Sequence, residues 1–327
     1  MPELRYNPLL DTYTMVAGNR QNRPHLPKDY CPFCPGSGKV PDTYEMLVYD
    51  NDFPTLSLQP EKINNNHHFF SRKEAYGKCE VILYTHDHNL HLYMLSLQQI
   101  QKLIGVWKQR TEALSQDSNI KYVFPFENRG EEVGVTIHHP HGQLYAYSWL
   151  PQKIETELNN CQKYFQQTQR NFFDDLIAAE KETHDRVIFE NENFICFIPY
   201  FTDYPYGVFI TAKSNTSSLI NFSSEKIKDL AQAIKYITAA FETLFNRPFP
   251  YMMCIHQTPV NINEYAESEK YFRFHIEFYT PLRAADKIKW MASSETGAGA
   301  AANPKLVEET AAEMRIALQK FLKTIEA

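Results

Sequence analysis

The stretch Glu80-Val81-Ile82-Leu83-Tyr84, followed after a polar turn by Leu92, Leu95, Ser96, Ile100, Leu103 and Trp107, is written twice in this chain. The second writing is Val208-Phe209-Ile210-Thr211 with Leu219, Phe222, Ser223, Ile227, Leu230 and Ile234, each 127 positions on (219 minus 92, for example). A short apolar run bounded by turn residues reads as a strand, and apolar residues three and four apart read as one face of a helix. Strand then helix, twice, predicts a duplicated α+β chain. Outward from this unit, Phe124-Pro125-Phe126 and Phe249-Pro250-Tyr251 recur as a Phe-Pro-aromatic element. Each copy ends in a strand rich in His and aromatics, at 137–147 and 271–279, and is entered by an aromatic edge strand, at 44–53 and 187–200. The expected architecture is therefore antiparallel sheets with helices packed on one face. Residues 153–181 read as a single connecting helix. Residues 297–302, Gly-Ala-Gly-Ala-Ala-Ala, read as a flexible loop before a final amphipathic helix over 304–325 with Pro304 near its start. The chain divides into a first half, 1–152, a connecting helix region, 153–186, and a second half, 187–327.

Composition narrows the classes. In 327 residues, 33 Lys+Arg stand against 39 Asp+Glu for a formal charge of -6, so there is no general basic field for nucleic acid. No apolar run approaches the roughly 20 residues of a spanning helix, and the opening Met1-Pro2-Glu3-Leu4-Arg5-Tyr6 lacks the pattern of a secretory signal. A cytoplasmic protein without a membrane partner is expected. The six cysteines then suit metal or core roles better than a disulfide framework. With 11 Gly and no Gly-rich phosphate loop, phosphates must be handled by side chains. Residues 297–302 formally fit Gly-x-Gly-x-x-Ala, but no strand-helix-strand unit fits in the 25 residues that remain (327 minus 302).

Cys31-Pro32-Phe33-Cys34 has the spacing that lets two thiolates share one tetrahedral ion while the turn's amides face the sulfurs. Redox use is the rival, though a redox pair opens a helix after a strand and here Pro35, Gly36 and Gly38 follow. His88 and His139 are the candidate remaining ligands, with His88 alternatively only capping its turn. Zinc suits a Cys2His2 set by ligand softness.

In His139-Pro140-His141-Gly142-Gln143, strand alternation would put His139, His141 and Gln143 on one face. Together with Phe126-Glu127-Asn128-Arg129-Gly130 and Val135-Thr136-Ile137-His138, this segment closely resembles the galactose-1-phosphate uridylyltransferase family of the histidine triad superfamily. The resemblance runs from Arg5-Tyr6-Asn7-Pro8 to about Glu295. It implies duplicated histidine-triad-like units and ping-pong chemistry in galactose metabolism: UMP passes from UDP-glucose to His141, then to galactose 1-phosphate. An imidazole is nucleophilic near neutral pH when its other nitrogen is held by an acceptor, in the family a backbone carbonyl. Gln143 would donate to a phosphoryl oxygen, and as a neutral amide it cannot activate water.

The resemblance also implies ribose contacts from Asn51 and Asp52, and phosphate contacts from Asn128, Thr136, Arg20 and Arg23. Lys289 and Glu295 would contact the sugar phosphate across a homodimer interface, so that active sites are shared. Relatives hold a second metal with a Glu and three His. The matching set here is Glu157, His256, His275 and Glu277, a Glu replacing the last His, for iron or zinc. Aligning His275-Ile276-Glu277 with His139-Pro140-His141 puts Glu277 opposite the nucleophile and leaves only the first half catalytic. Two alternatives remain: an adenylyl-transferring relative such as a sugar-nucleotide phosphorylase, and a nonenzymatic nucleotide- or metal-binding protein. The intact His141 and Gln143 pair argues against the latter.

Overall fold

The computed structural model describes residues 2–22, 30–64 and 67–326. Nine strands form one antiparallel sheet: Leu47–Asp50 (β1), Gly77–Leu83 (β2), Tyr122–Arg129 (β3), His141–Tyr147 (β4), Val187–Glu190 (β5), Phe194–Phe197 (β6), Phe209–Ala212 (β7), Tyr251–His256 (β8) and His275–Tyr279 (β9). Their order across the sheet is β1-β2-β4-β3-β8-β9-β7-β6-β5. The two copies thus share one sheet, joined where β3 pairs antiparallel with β8, Arg129 opposite Tyr251 and Phe126 opposite Cys254. A small sheet of Glu3–Asn7, Thr12–Val16 and Arg72–Glu74 stands apart.

The repeated helices are Leu97–Ser115 (α1) and Ser224–Phe245 (α4). The serine recurring in the repeat is the N-cap of both: Ser96 accepts from Gln99 N and Ser223 from Lys226 N, each satisfying an amide the first turn leaves over. Both helices pack on one face of the sheet, where Ile100, Leu103, Trp107, Leu230, Ile234 and Phe241 are buried with Ile82, Leu144, Ile210 and Ile276. The opposite face is covered in part by Gln152–Thr168 (α2) and Phe172–Thr183 (α3), through Leu158, Cys161 and Phe173 against Tyr145 and Tyr147.

The connecting region is two helices rather than one. Gln169 turns left-handed at φ 58° and the Asn171 side chain accepts from Phe173 N, so the chain stops and restarts. The segment 187–200 is a hairpin, β5 and β6, because Asn191 bonds Phe194 through both its amide N and its side chain. Edge strand β1 is shorter than 44–53, and β4 and β9 start four residues later than the aromatic pattern suggests. At β4 the cause is Pro140, which has no amide to donate. Residues 297 and 298 close a short helix, Ser293–Ala298 (α5), ended by Gly299 at φ 69°. The last helix, Val307–Glu326 (α6), starts beyond Pro304. Among the described residues no helix is long and apolar enough to cross a membrane.

Strand pairing aligns one row of side chains across the sheet face that α1 and α4 leave open: Tyr49, Val81, Gln143, Phe126, Cys254, Glu277 and Phe209. Both groups of chemically active residues lie on this face.

Candidate functional site

His141 opens β4. Its Nδ1 lies 2.7 Å from His139 O, and since a carbonyl only accepts, Nδ1 carries the proton and Nε2 the lone pair. Gln143, two residues on and on the same face, accepts at Oε1 from Tyr145 Oη at 3.4 Å, which leaves its amide NH2 as a donor. A cavity of about 200 Å³ at this point is lined by His141, Gln143, Asn128, Thr136 and Arg20. Thr136 Oγ1 is buried there without a hydrogen-bond partner among the described residues. A second cavity of about 730 Å³ runs from His141 and Asn128 to Arg129, His138 and Arg247.

Gly142 lies between the two active side chains and faces the helices. A Cβ there would run into the Tyr84 hydroxyl and come within 3.0 Å of Phe126 O. Without one, Tyr84 passes beneath the strand and donates to Glu127 Oε2 at 2.9 Å, while Tyr251 donates to Oε1 at 2.9 Å. Burial pushes the Glu127 carboxyl up to about 7.

His139 precedes β4 and points its Nδ1 at the two cysteines, on a cavity wall that it shares with His141. Its Nε2 lies 2.8 Å from Thr85 O and 2.9 Å from Tyr44 Oη, and Tyr44 donates to Phe33 O at 2.6 Å. That fixes the tautomer in which Nδ1 faces the sulfurs, 3.7 Å from Cys31 Sγ and 3.7 Å from Cys34 Sγ; His88 Nδ1 is 3.4 Å from Cys34 Sγ. A tetrahedron built on roughly 2.3 Å zinc–sulfur and 2.0–2.1 Å zinc–nitrogen bonds has sulfur–nitrogen edges of about 3.6 Å. The set therefore fits zinc, and His88 reaches the site rather than only capping its turn. Burial pushes the Cys31 thiol up to about 11 and the His139 imidazole down to about 4, so a neutral imidazole is ready to ligate whereas the thiol must lose its proton to do so.

Of the nucleotide residues expected from the sequence, Arg20, Asn128 and Thr136 come together at His141. Arg23 lies outside the described residues. Asp52 instead accepts from Lys39 Nζ at 2.8 Å and Tyr49 Oη at 2.7 Å, and Asn51 Oδ1 accepts from Phe53 N. The Phe33 ring lies between this strand and His141, 5.7 Å from Tyr49 and 6.0 Å from His141. Lys289 and Glu295 pair with each other at 2.7 Å and line neither cavity at His141. Sequence reasoning missed Phe33, Tyr44 and Arg247. It also passed over Arg129, whose Nη2 is buried without a partner among the described residues.

The fourfold set in the second half also converges, its ligand atoms all within 4.8 Å of one another. His256 Nδ1 is 2.8 Å from Glu157 Oε2, and His275 Nε2 is 3.4 Å from Glu277 Oε1. Lys153 stands against it, Nζ 2.7 Å from Glu277 Oε2. The ammonium thus takes one of the two oxygens that Glu277 could offer an ion. The alignment of the halves also differs from expectation by one alternation. His275 Nδ1 lies 2.9 Å from Arg273 O, as His141 Nδ1 does from His139 O, so His275 answers to His141 and Glu277 to Gln143.

Comparison with known proteins accords with this geometry. The family described as "Galactose-1-phosphate uridyl transferase, N-terminal domain" matches residues 1–151, and "Galactose-1-phosphate uridyl transferase, C-terminal domain" matches residues 157–324. A galactose-1-phosphate uridylyltransferase of Thermotoga maritima is 40% identical over 317 residues, covering 96% of this chain and 98% of the relative. One of Schizosaccharomyces pombe is 31% identical, covering 87% and 86%. A solved uridylyltransferase structure superposes with a TM-score of 0.88 at 28% identity, over 98% of this chain and 99% of the other.

Proposed function

This chain belongs to the galactose-1-phosphate uridylyltransferase family, and we propose that His141 is the residue that carries UMP in the UDP-glucose–hexose-1-phosphate uridylyltransferase reaction it catalyses. The observation that carries the reading is the contact of His141 Nδ1 with His139 O, which directs the Nε2 lone pair to the phosphorus. In the first half-reaction an Nε2–P bond forms as the bond from the α-phosphorus to the oxygen of glucose 1-phosphate breaks. In the second, a phosphate oxygen of galactose 1-phosphate attacks the same phosphorus, the N–P bond breaks and UDP-galactose leaves. Gln143 NH2 donates to a non-bridging oxygen as charge develops, and Thr136 Oγ1, Asn128 and Arg20 hold the phosphates. Arg23 belongs with Arg20, and Asn51 and Asp52 with the ribose.

Catalysis is assigned to the half 1–152, with 187–327 as its partner half and 153–186 as the connection. Zinc on Cys31, Cys34, His88 and His139 supplies structural cross-linking, tying the N-terminal segment to the catalytic strand. We further infer a cytoplasmic homodimer in which Lys289 and Glu295 of one chain serve the other's sugar phosphate. Free cysteines throughout suit that compartment.

The test is incubation with UDP-glucose alone, followed by mass spectrometry. A UMP adduct on the peptide containing His141, with one equivalent of glucose 1-phosphate released, is expected. ADP-glucose should give no adduct. An adduct from ADP-glucose would favour the adenylyl-transferring relative, and no adduct from either would remove His141 as nucleophile.

A further inference from the structure

The fourfold cluster of the second half carries a fifth group that the chemistry of a metal site does not require. Lys153 lies one helical turn before Glu157 on α2, and its Nζ is 2.7 Å from Glu277 Oε2 and 3.8 Å from Glu157 Oε1. The same nitrogen sits 4.6 Å from the centroid of the Tyr279 ring, and the Tyr279 hydroxyl contacts both Lys153 Nζ and Glu277 Oε2. Glu277 Oε2 is thereby engaged by Lys153 and Tyr279, while Oε1 lies 3.4 Å from His275 Nε2. His256 bridges the two carboxylates, with Nδ1 2.8 Å from Glu157 Oε2 and Nε2 3.8 Å from Glu277 Oε2.

We propose that Lys153 supplies the positive charge of this cluster in place of a metal ion, making it a lysine-closed polar network rather than an iron or zinc site. Charge favours this. Glu277 is 5% exposed and cannot stay ionised there without a cation close by. One ammonium meets that need, whereas an ammonium together with a divalent ion would put two cations a few ångströms apart beside the same two carboxylates. Position favours it too. The Lys153 side chain is 57% exposed and lines the cavity that opens onto Glu157, His275 and Glu277, so an ion entering by that route meets the ammonium first. The substitution of Glu for a third imidazole has the same logic, since a carboxylate can pair with an ammonium and a neutral imidazole cannot hold it by charge.

The test is metal stoichiometry of the full chain grown with zinc and iron supplied. Wild type is expected to hold one ion per chain, lost in Cys31→Ser and unaffected by His275→Asn. Those two variants separate the zinc site of the first half from this cluster. Lys153→Met, which keeps the stem and removes the charge, should raise the count from one to two on titration with zinc, and His275→Asn in that background should return it to one. Thermal melting should shift upward with added zinc only in Lys153→Met. A second ion in wild type that His275→Asn removes, or a folded Lys153→Met that takes up none, overturns the proposal. Should Lys153→Met fail to fold, the wild-type count with and without His275→Asn decides alone.

Discussion

His141 and His275 are held by the same contact in opposite halves of the sheet: each Nδ1 meets the carbonyl two residues earlier, at 2.7 Å from His139 O and 2.9 Å from Arg273 O. They differ at the other end of the ring. His141 lines the cavities that Asn128 also borders, while His275 is 2% exposed and meets a different cavity, with Phe173 and Phe209 rings 5.0 and 5.5 Å away. Replacing His141 by Asn should therefore lower transfer by more than about 10⁴-fold, the order seen when a covalent nucleophile is removed. His275→Asn should retain the covalent intermediate. Rapid-quench formation of glucose 1-phosphate in the two variants checks both; normal bursts from His141→Asn would end the assignment.

Gln143 lines the cavity at His141 with a neutral amide that cannot move a proton. Gln143→His should turn part of the transfer into hydrolysis of the nucleotidyl intermediate, since general acid–base assistance is worth about 10² to 10⁴ in rate. Formation of the intermediate should slow, because the amide donor is lost. Single-turnover release of UMP with UDP-glucose alone is the measurement, and an intermediate as long-lived as wild type would clear Gln143 of protecting it.

Gly142→Ala is expected to damage both fold and rate, because its Cβ would meet the Tyr84 hydroxyl and Phe126 O. Tyr84 is fully buried and has no room to withdraw. A loss of about 1–3 kcal/mol, the usual cost of overpacking, is expected in urea unfolding. The double variant with Tyr84→Phe removes the clashing hydroxyl and should recover part of it; no recovery would mean that Phe126 O is the obstacle.

The Glu127 carboxyl, raised by burial from 4.5 to about 7, makes folding take up a proton between those values. The contribution of Glu127 to stability is fully present below pH 4.5 and is lost as pH rises toward 7, about 3 kcal/mol in all at ~1.4 kcal/mol for each tenfold. Glu127→Gln mimics the neutral form between Tyr84 and Tyr251, so this part of the pH dependence should flatten. Melting curves across pH 5–8 compare the two, and parallel pH profiles would show that Glu127 does not titrate in this range.

Cys31→Ser should lower the melting temperature far more than it alters the first-turnover rate constant, because the four ligands tie residues 31–34 to the turn before β4. The cost is on the order of several kcal/mol, since metal binding is coupled to folding. A chelator should reproduce it in wild type and leave Cys31→Ser unmoved.

The repeat was legible because strand and helix periods survive in both copies and because Ser96 and Ser223 keep the cap. Sheet joining was not, since nothing in Phe126 or Cys254 announces that they face each other across β3 and β8. At the site, Cys31, Cys34, His88 and His139 were readable as a ligand set, whereas the Tyr44 hydroxyl and the Thr85 carbonyl that hold the His139 ring were not, because only the fold brings them to it. Lys153 was invisible for a plain reason. On a charged helix, a lysine four residues before Glu157 looks like an ordinary surface pair, and only the fold brings Glu277 to it.

The β3–β8 pairing makes each half the other's edge protection. A chain cut after residue 152 would leave β3 with an unpaired row of amides and carbonyls over Phe126 to Arg129, and the complementary fragment would expose the same row on β8. Exposed strand edges of this kind template pairing with further chains. Expressed separately, the halves should form insoluble assemblies; expressed together, they should find each other through this seam. Having given two edges to a common sheet, the duplicated halves should no longer part into two soluble proteins.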